Sequence, residues 1–155
     1  MKMASEPTEN ELPRDHNSDA DIQTILGLKN IAVVGISRDP SKPAHFVPKY
    51  LKEHGYNIIP VNPSADELLG LRCYKNLLDV PDPIDIVDIF RPAPDVSPVV
   101  KAAVKKCAKV VWMQEGIYSK EAAELAKRNG VGAVWNRCMM KEHERLRQGG
   151  SVGHG

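Results

Sequence analysis

Apolar and polar positions along this chain switch between two periods, and the switches divide it into strand and helix units. Ile31-Ala32-Val33-Val34 is a run rich in β-branched residues that stops at Gly35, as a buried strand does. Phe46, Val47, Tyr50, Leu51 and His54 then share a helical face, with Gly55 where a C-terminal cap belongs. Pro48 is tolerable only in a first turn, so this helix is expected to start near Pro43 or later. Asn57 to Val61 reads as the second strand, ended by Asn62-Pro63-Ser64. Glu67 to Tyr74 holds a short extended piece around Gly70, and Asn76 to Asp79 one helical turn. Ile84 to Phe90 is the next strand, followed by a helix carrying Val96, Val99, Val100, Ala103, Val104 and Cys107. Lys109 to Gln114 is a strand again. Ser119 to Asn129 is the clearest helix, with Ser119 as N-cap, Lys127 and Arg128 in the last turn, and Gly130 just beyond. Gly132 to Cys138 is the last strand and Met140 to Leu146 a closing helix. Asp21 to Leu28 leads the series as a short helix with Ile22, Ile25 and Leu26 on one face.

Strands alternating with helices imply an α/β fold: a mainly parallel sheet of about five strands, helices on both faces, doubly wound by right-handed crossovers. The expected strand order is 3-2-1-4-5, counted along the chain. The switch point then lies between the first strand and the strand ending at Phe90, and ligands bind there, outside the carboxyl ends. The single domain is expected over 20–147. Residues 1–19, polar and aperiodic with Pro7 and Pro13, read as a disordered tail, and 148–155, with four glycines, as a flexible one.

Two loops flank the switch point. The first, Gly35-Ile36-Ser37-Arg38-Asp39-Pro40-Ser41-Lys42, joins a glycine turn to a helix N-terminus, a ready site for phosphate. It offers backbone amides, the Ser37 hydroxyl and the Lys42 ammonium. The second, Phe90-Arg91-Pro92, places a guanidinium at a strand end, suited to bidentate phosphate contact. The first loop lacks both G-x-G-x-x-G and the G-K-[ST] ending of a Walker loop. A dinucleotide site usually has Asp or Glu at the end of the second strand, but here that end reads Pro60-Val61-Asn62-Pro63. This argues against NAD. Val61 and Pro63 offer an apolar shelf for a flat base, although the prolines could equally just shape a turn. Arg72 or Lys75 could serve a 2′-phosphate, so a small NADP-dependent oxidoreductase stays open as the enzyme-class alternative.

Bulk composition narrows the partners. The net charge of +1 gives no reason to expect nucleic acid or an anionic membrane. No apolar run approaches the roughly 20 residues needed to span a bilayer, and no signal-peptide core opens the chain. The expected location is cytoplasmic. Three scattered cysteines, Cys73, Cys107 and Cys138, read as free thiols rather than a disulfide framework or zinc site.

Five motifs, in order, resemble those of the stand-alone CoA-binding protein family, itself similar to the N-terminal CoA-binding domain of the succinyl-CoA synthetase alpha chain. They are Gly35-x-Ser37 with Lys42, Pro60-Val61-Asn62-Pro63, Phe90-Arg91-Pro92, Trp112-x-Gln114-Glu115-Gly116 and Asn136-Arg137-Cys138-Met139. The resemblance covers about Ile22 to Arg145. It implies a Rossmann-like fold and coenzyme A or an acyl-CoA as ligand. By resemblance Gly35, Ile36, Ser37, Arg38 and Lys42 face the phosphates, and Val61, Asn62 and Pro63 lie near the adenine. Phe90, Arg91 and Pro92 line the pyrophosphate and pantetheine path, with Gln114, Glu115 and Gly116 towards the thiol. One departure is Pro43 after the lysine, where the synthetases commonly have glycine.

No catalytic residue is expected. The synthetase chain carries its phosphorylated histidine in a second domain, and no such domain is expected here. Of the histidines here, His45 borders the phosphate loop and could meet a ligand, whereas His143 is expected to be exposed. No Ser-His-Asp or Cys-His spacing argues for nucleophilic catalysis. Cys138, at a strand end, could exchange into a mixed disulfide with the CoA thiol, against the simpler reading of a half-buried thiol. The expected role is to carry, sense or supply CoA, or to act as the CoA-binding subunit of a split acyl-CoA ligase. A protein partner or a homodimer is left open.

Overall fold

The strand runs condense into one parallel sheet whose carboxyl ends finish level with one another. In the computed structural model, which describes residues 12–148, β1 (Asn30–Val34) pairs with β2 (Asn57–Val61) on one side and β5 (Ile86–Ile89) on the other. β6 (Val110–Met113) and β7 (Gly132–Val134) continue the sheet beyond β5, giving the order β2-β1-β5-β6-β7. Alternation divides the strand residues between two cores. Ile31, Val33, Ile86 and Trp112 pack in one; Ala32, Val87, Val111 and Met113 pack in the other. The first is covered by α1 (Asp19–Leu26), α2 (Pro43–Glu53) and α5 (Met139–Gln148), the second by α3 (Val96–Lys105) and α4 (Lys120–Arg128). Among the described residues no helix is long and apolar enough to cross a membrane.

The expected third strand is not a strand of this sheet. Leu69 and Gly70 both have positive φ, 55° and 71°, the requirement of a type I′ turn, and they fold the segment into the hairpin β3 (Glu67–Leu68) and β4 (Leu71–Arg72). Only Tyr74 reaches the sheet, through a parallel bridge to Val61. The switch point between β1 and β5 is unaffected. The last strand also stops short of Cys138. The Trp135 N–H turns to the Asp15 carboxylate at 3.2 Å, and Asn136 takes a left-handed φ of 54°.

The expected tails lie outside the described residues over 1–11 and 149–155. Residues 12–19, read from composition as tail, are instead fastened along β7. Pro13 C=O accepts from Trp135 Nε1 at 2.7 Å, and Asn17 Nδ2 donates to Ala133 C=O at 2.9 Å. Asp15 takes two bonds from Arg137, from Nη2 at 2.7 Å and Nε at 3.0 Å. Burial alone would raise the Asp15 carboxyl, but Arg137 and the Asn17 and Trp135 N–H groups hold it below the usual range. The segment thereby blunts the open sheet edge.

Asp88, at the centre of β5, has Val33 and Trp112 as its strand neighbours and is 0% exposed. Gln114 Nε2 donates to its Oδ1, and its Oδ2 has no hydrogen-bond partner among the described residues. Burial pushes this carboxyl up to about 7, against the smaller downward pull of Gln114. An aspartate in the unfolded chain titrates near 4, so from about pH 4 to 7 unfolding releases a proton that the fold retains. Stability therefore falls as pH rises through that window and levels off above it. Asp88→Asn keeps an acceptor for Gln114 and removes the proton. Denaturant melts from pH 5 to 8 should show the variant gaining on the parent by about 1.4 kcal/mol per pH unit up to pH 7. A difference independent of pH would contradict a neutral Asp88.

Candidate functional site

Two strand exits meet at the switch point because one residue has no side chain. Gly35 follows β1 with φ of 87°, and a Cβ there would stand 2.6 Å from the Phe90 carbonyl oxygen and 3.1 Å from Arg91 Cδ. Any other residue would force the loops after β1 and β5 apart. The result is a ridge of Gly35 and Arg91 at the carboxyl edge of the sheet.

The first loop is pinned from three sides. α2 begins at Pro43 after all, with Pro48 inside it. Pro48 has no N–H to give the carbonyl four residues earlier, so Ala44 C=O is released. It accepts the Ser37 N–H at 3.0 Å. His45 Nδ1–H donates back to the Ser37 C=O at 2.7 Å. From β2, Asn62 Nδ2 holds the Ile36 C=O at 2.8 Å, and the Arg38 guanidinium donates to the Ser64 C=O. Within the loop, Ser37 Oγ accepts the Asp39 N–H at 3.0 Å. Asp39 accepts Ser41 Oγ–H at 2.7 Å and Ser41 N–H at 3.0 Å, bonds that hold its carboxyl below the usual range. The loop thus consumes much of the donor set expected to face a phosphate. Among the described residues the N–H groups of Arg38 and Ala44 make no hydrogen bond, and the exposed Lys42 ammonium makes no hydrogen bond or salt bridge.

Clefts open on both sides of the ridge. The first, about 670 Å³, runs from Val61, Asn62 and Pro63 to Leu78 and Val99. The second, about 540 Å³, is lined by Lys42, Phe46, Phe90, Pro92, Gln114 and Cys138, with Glu115 at its rim. Arg91 lines both. Phe46 and Leu78, 37% and 46% exposed, are the exposed large apolar side chains of the described residues, and each stands in a different cleft. The sequence pattern gave no sign of their role, since Phe46 fits the helical face and Leu78 lies in a short 3-10 turn. Of the expected site residues, Ile36, Ser37, Arg38 and Gly116 line neither cleft.

The last two motifs bind each other. Trp112 Nε1 donates to Arg137 C=O at 2.8 Å, and Gln114 Oε1 accepts the Met139 N–H at 3.4 Å. The Gly116 N–H donates to Asn136 Oδ1 at 2.7 Å, and Lys141 Nζ pairs with Glu115 at 2.9 Å. Of these residues Gln114, Glu115 and Lys141 line the second cleft. Gln114, expected near a thiol, is 3% exposed, and both ends of its amide are used, on Asp88 and Met139. Cys138 sits at the N-terminus of α5. Burial pushes its thiol up, against the Lys141 and Met140 N–H groups, which makes it a poor nucleophile at neutral pH. Among the described residues no three His, Cys, Asp or Glu side chains gather as a metal site. His143, expected to be exposed, is fully buried and shares a 2.7 Å hydrogen bond with the Tyr50 hydroxyl, because α5 packs on α2.

Known proteins resemble this chain in sequence and fold. A family model described as a CoA binding domain matches residues 29–144. YneT, an uncharacterized protein of Bacillus subtilis, is 38% identical over 127 residues, covering 81% of this chain and 94% of that protein. An ADP-forming acetate–CoA ligase II of Archaeoglobus fulgidus is 34% identical over 123 residues, covering 72% of this chain but only 18% of the ligase. Among solved structures, Prb, described as the PH1109 protein redesigned for binding, superposes with a TM-score of 0.85 at 48% identity. It covers 92% of this chain and 100% of its own. A hypothetical protein from Pyrococcus horikoshii OT3 gives 0.83 at 44% identity, covering 95% of this chain and 99% of its own. With the parallel sheet and its switch-point clefts, the match over most of the described residues settles the family: this chain belongs to the CoA-binding domain family.

Proposed function

We propose that the protein binds coenzyme A or an acyl-CoA across the ridge, with the nucleotide end in the first cleft and the pantetheine arm in the second. The observation that carries this reading is the pairing of exposed apolar groups with a central cation. Leu78 and Phe46 stand in separate clefts, and Arg91 lies between them and lines both. A ligand that suits this row has an apolar end, a charged middle and a second apolar end. Coenzyme A has that order: adenine, phosphates, pantetheine. We assign its phosphates to Arg91 and Lys42, which both line the second cleft.

A nicotinamide cofactor fits less well. Asn62, where a ribose-binding acid would stand, is spent on Ile36 C=O and the Ser64 N–H. Arg72, a candidate for a 2′-phosphate, lies over the Tyr74 ring at 5.0 Å, and Lys75 pairs with Asp66 at 3.4 Å. The role we favour is carrying or presenting CoA, with any chemistry supplied by a partner chain. Two features support it: Glu115 is neutralised by Lys141, and the Cys138 thiol is raised. A partner is in keeping with the ligase named above, in which the matching region is a small part of a longer protein.

Calorimetry with CoA, acetyl-CoA, NADH and NADPH tests the ligand class. CoA should bind and the nicotinamides should not; the reverse result would overturn the proposal. Lys42→Ala should weaken CoA by about 1.5–3 kcal/mol, the range of a charge-assisted hydrogen bond. Orientation is tested with adenosine 3′,5′-bisphosphate, the nucleotide end alone. Leu78→Ala should weaken both ligands, and Phe46→Ala only CoA, each by about 1–2 kcal/mol for lost apolar burial. If Phe46→Ala weakened the bisphosphate instead, the ligand would run the other way.

A further inference from the structure

Arg91, the cation common to both clefts, already has an anion. Its Nη2 donates to Asp95 Oδ2 at 2.8 Å, one helical turn further on, and the two side chains are 48% and 49% exposed. Asp95 stands at the N-cap position of α3, where an aspartate ordinarily accepts an N–H from the second or third helical residue. It makes no such bond. Its backbone is helical, φ −94° and ψ −1°, rather than extended as an N-cap usually is, and the third helical residue is Pro98, which has no N–H to offer. The carboxylate is therefore aimed at the ridge, and it occupies the guanidinium on which the ligand reading above places a phosphate.

We propose that Asp95 sets the affinity and selectivity of the candidate CoA site, as an internal anion that a ligand phosphate must displace from Arg91; this rests on the CoA reading. A short tether holds the carboxylate at an effective concentration of about millimolar or more. A dissolved inorganic anion competes poorly against it. A ligand that also buries an apolar group in each cleft has further binding energy with which to displace it. Arg91 has donors beyond the one Asp95 uses, so the exchange needs only a small swing of the side chain. Once displaced, Asp95 remains near the phosphate and repels it, which further weakens ligands that bring charge alone.

The test is a double-mutant cycle read by calorimetry, with CoA and inorganic pyrophosphate as ligands. Asp95→Asn keeps the shape and removes the charge. It should tighten CoA by about 3- to 10-fold, the scale of one exposed ion pair plus the repulsion removed with it. Pyrophosphate, which brings more charge to Arg91 than the pyrophosphate diester of CoA, should gain more, so the preference for CoA narrows. In an Arg91→Ala background the same substitution should tighten CoA by clearly less than in the parent, because the ion pair is already gone and only the repulsion is left to remove. Asp95→Ser, a good N-cap, should reproduce the gain and serves where the Asn variant folds poorly. If the parent binds CoA and both Asp95 variants bind it equally or more weakly, Asp95 is a structural residue and the proposal falls. If the parent does not bind CoA, the ligand reading itself falls, and the role of Asp95 with it.

Discussion

The approach of Gly35 to the Phe90 carbonyl is the constraint on which the rest of the site depends. A Cβ at 2.6 Å from that oxygen would part the two loops, and with them the surface that Arg91 shares between the clefts. The sheet delivers β1 and β5 side by side at the switch point, but every parallel α/β sheet does as much. What distinguishes this chain is that the loop after β1 turns at once, through a left-handed glycine, and stays against its neighbour.

Holding that loop costs conformational entropy, which several local choices offset before any ligand arrives. Pro48 withholds an N–H inside α2 and so frees Ala44 C=O for Ser37. His45 and Asn62 bind the carbonyls of Ser37 and Ile36. A loop fixed in this way loses little further freedom on binding, which favours affinity. The arrangement changes the meaning of the loop's polar residues. Ser37 and Asp39 shape the turn, and the groups left to meet an anion are Lys42, Arg91 and a few backbone amides.

Much of this was legible in the sequence. The β-branched run to Gly35, the clean caps of the Ser119 helix and the placement of Lys42 and Arg91 beside one switch point all follow from period and turn chemistry. What escaped is decided by contacts distant in sequence. Asp15 reads as tail until Arg137, 122 residues later, closes on it. His143 reads as an exposed helix residue until Tyr50, 93 residues earlier, covers it. Phe46 satisfies the same helical period as Val47 and Leu51, so nothing local distinguishes a ring left in a cleft from two side chains in the core. The motifs Trp112-x-Gln114-Glu115-Gly116 and Asn136 to Met139 were visible, but not that they are partners. Their pairing explains why those residue types occur together: each supplies the donor or acceptor the other lacks, and Gln114, Glu115 and Cys138 are thereby held at the second cleft.

The clefts, the ridge and the exposed apolar groups converge on one claim, that a single elongated ligand crosses the ridge with its phosphates at Arg91. A crystal structure of the CoA complex tests it most directly. The account predicts the adenine beside Leu78, the pantetheine arm against Phe46 and phosphate oxygens within hydrogen-bond distance of Arg91. CoA confined to one cleft, or bound away from Arg91, would contradict it.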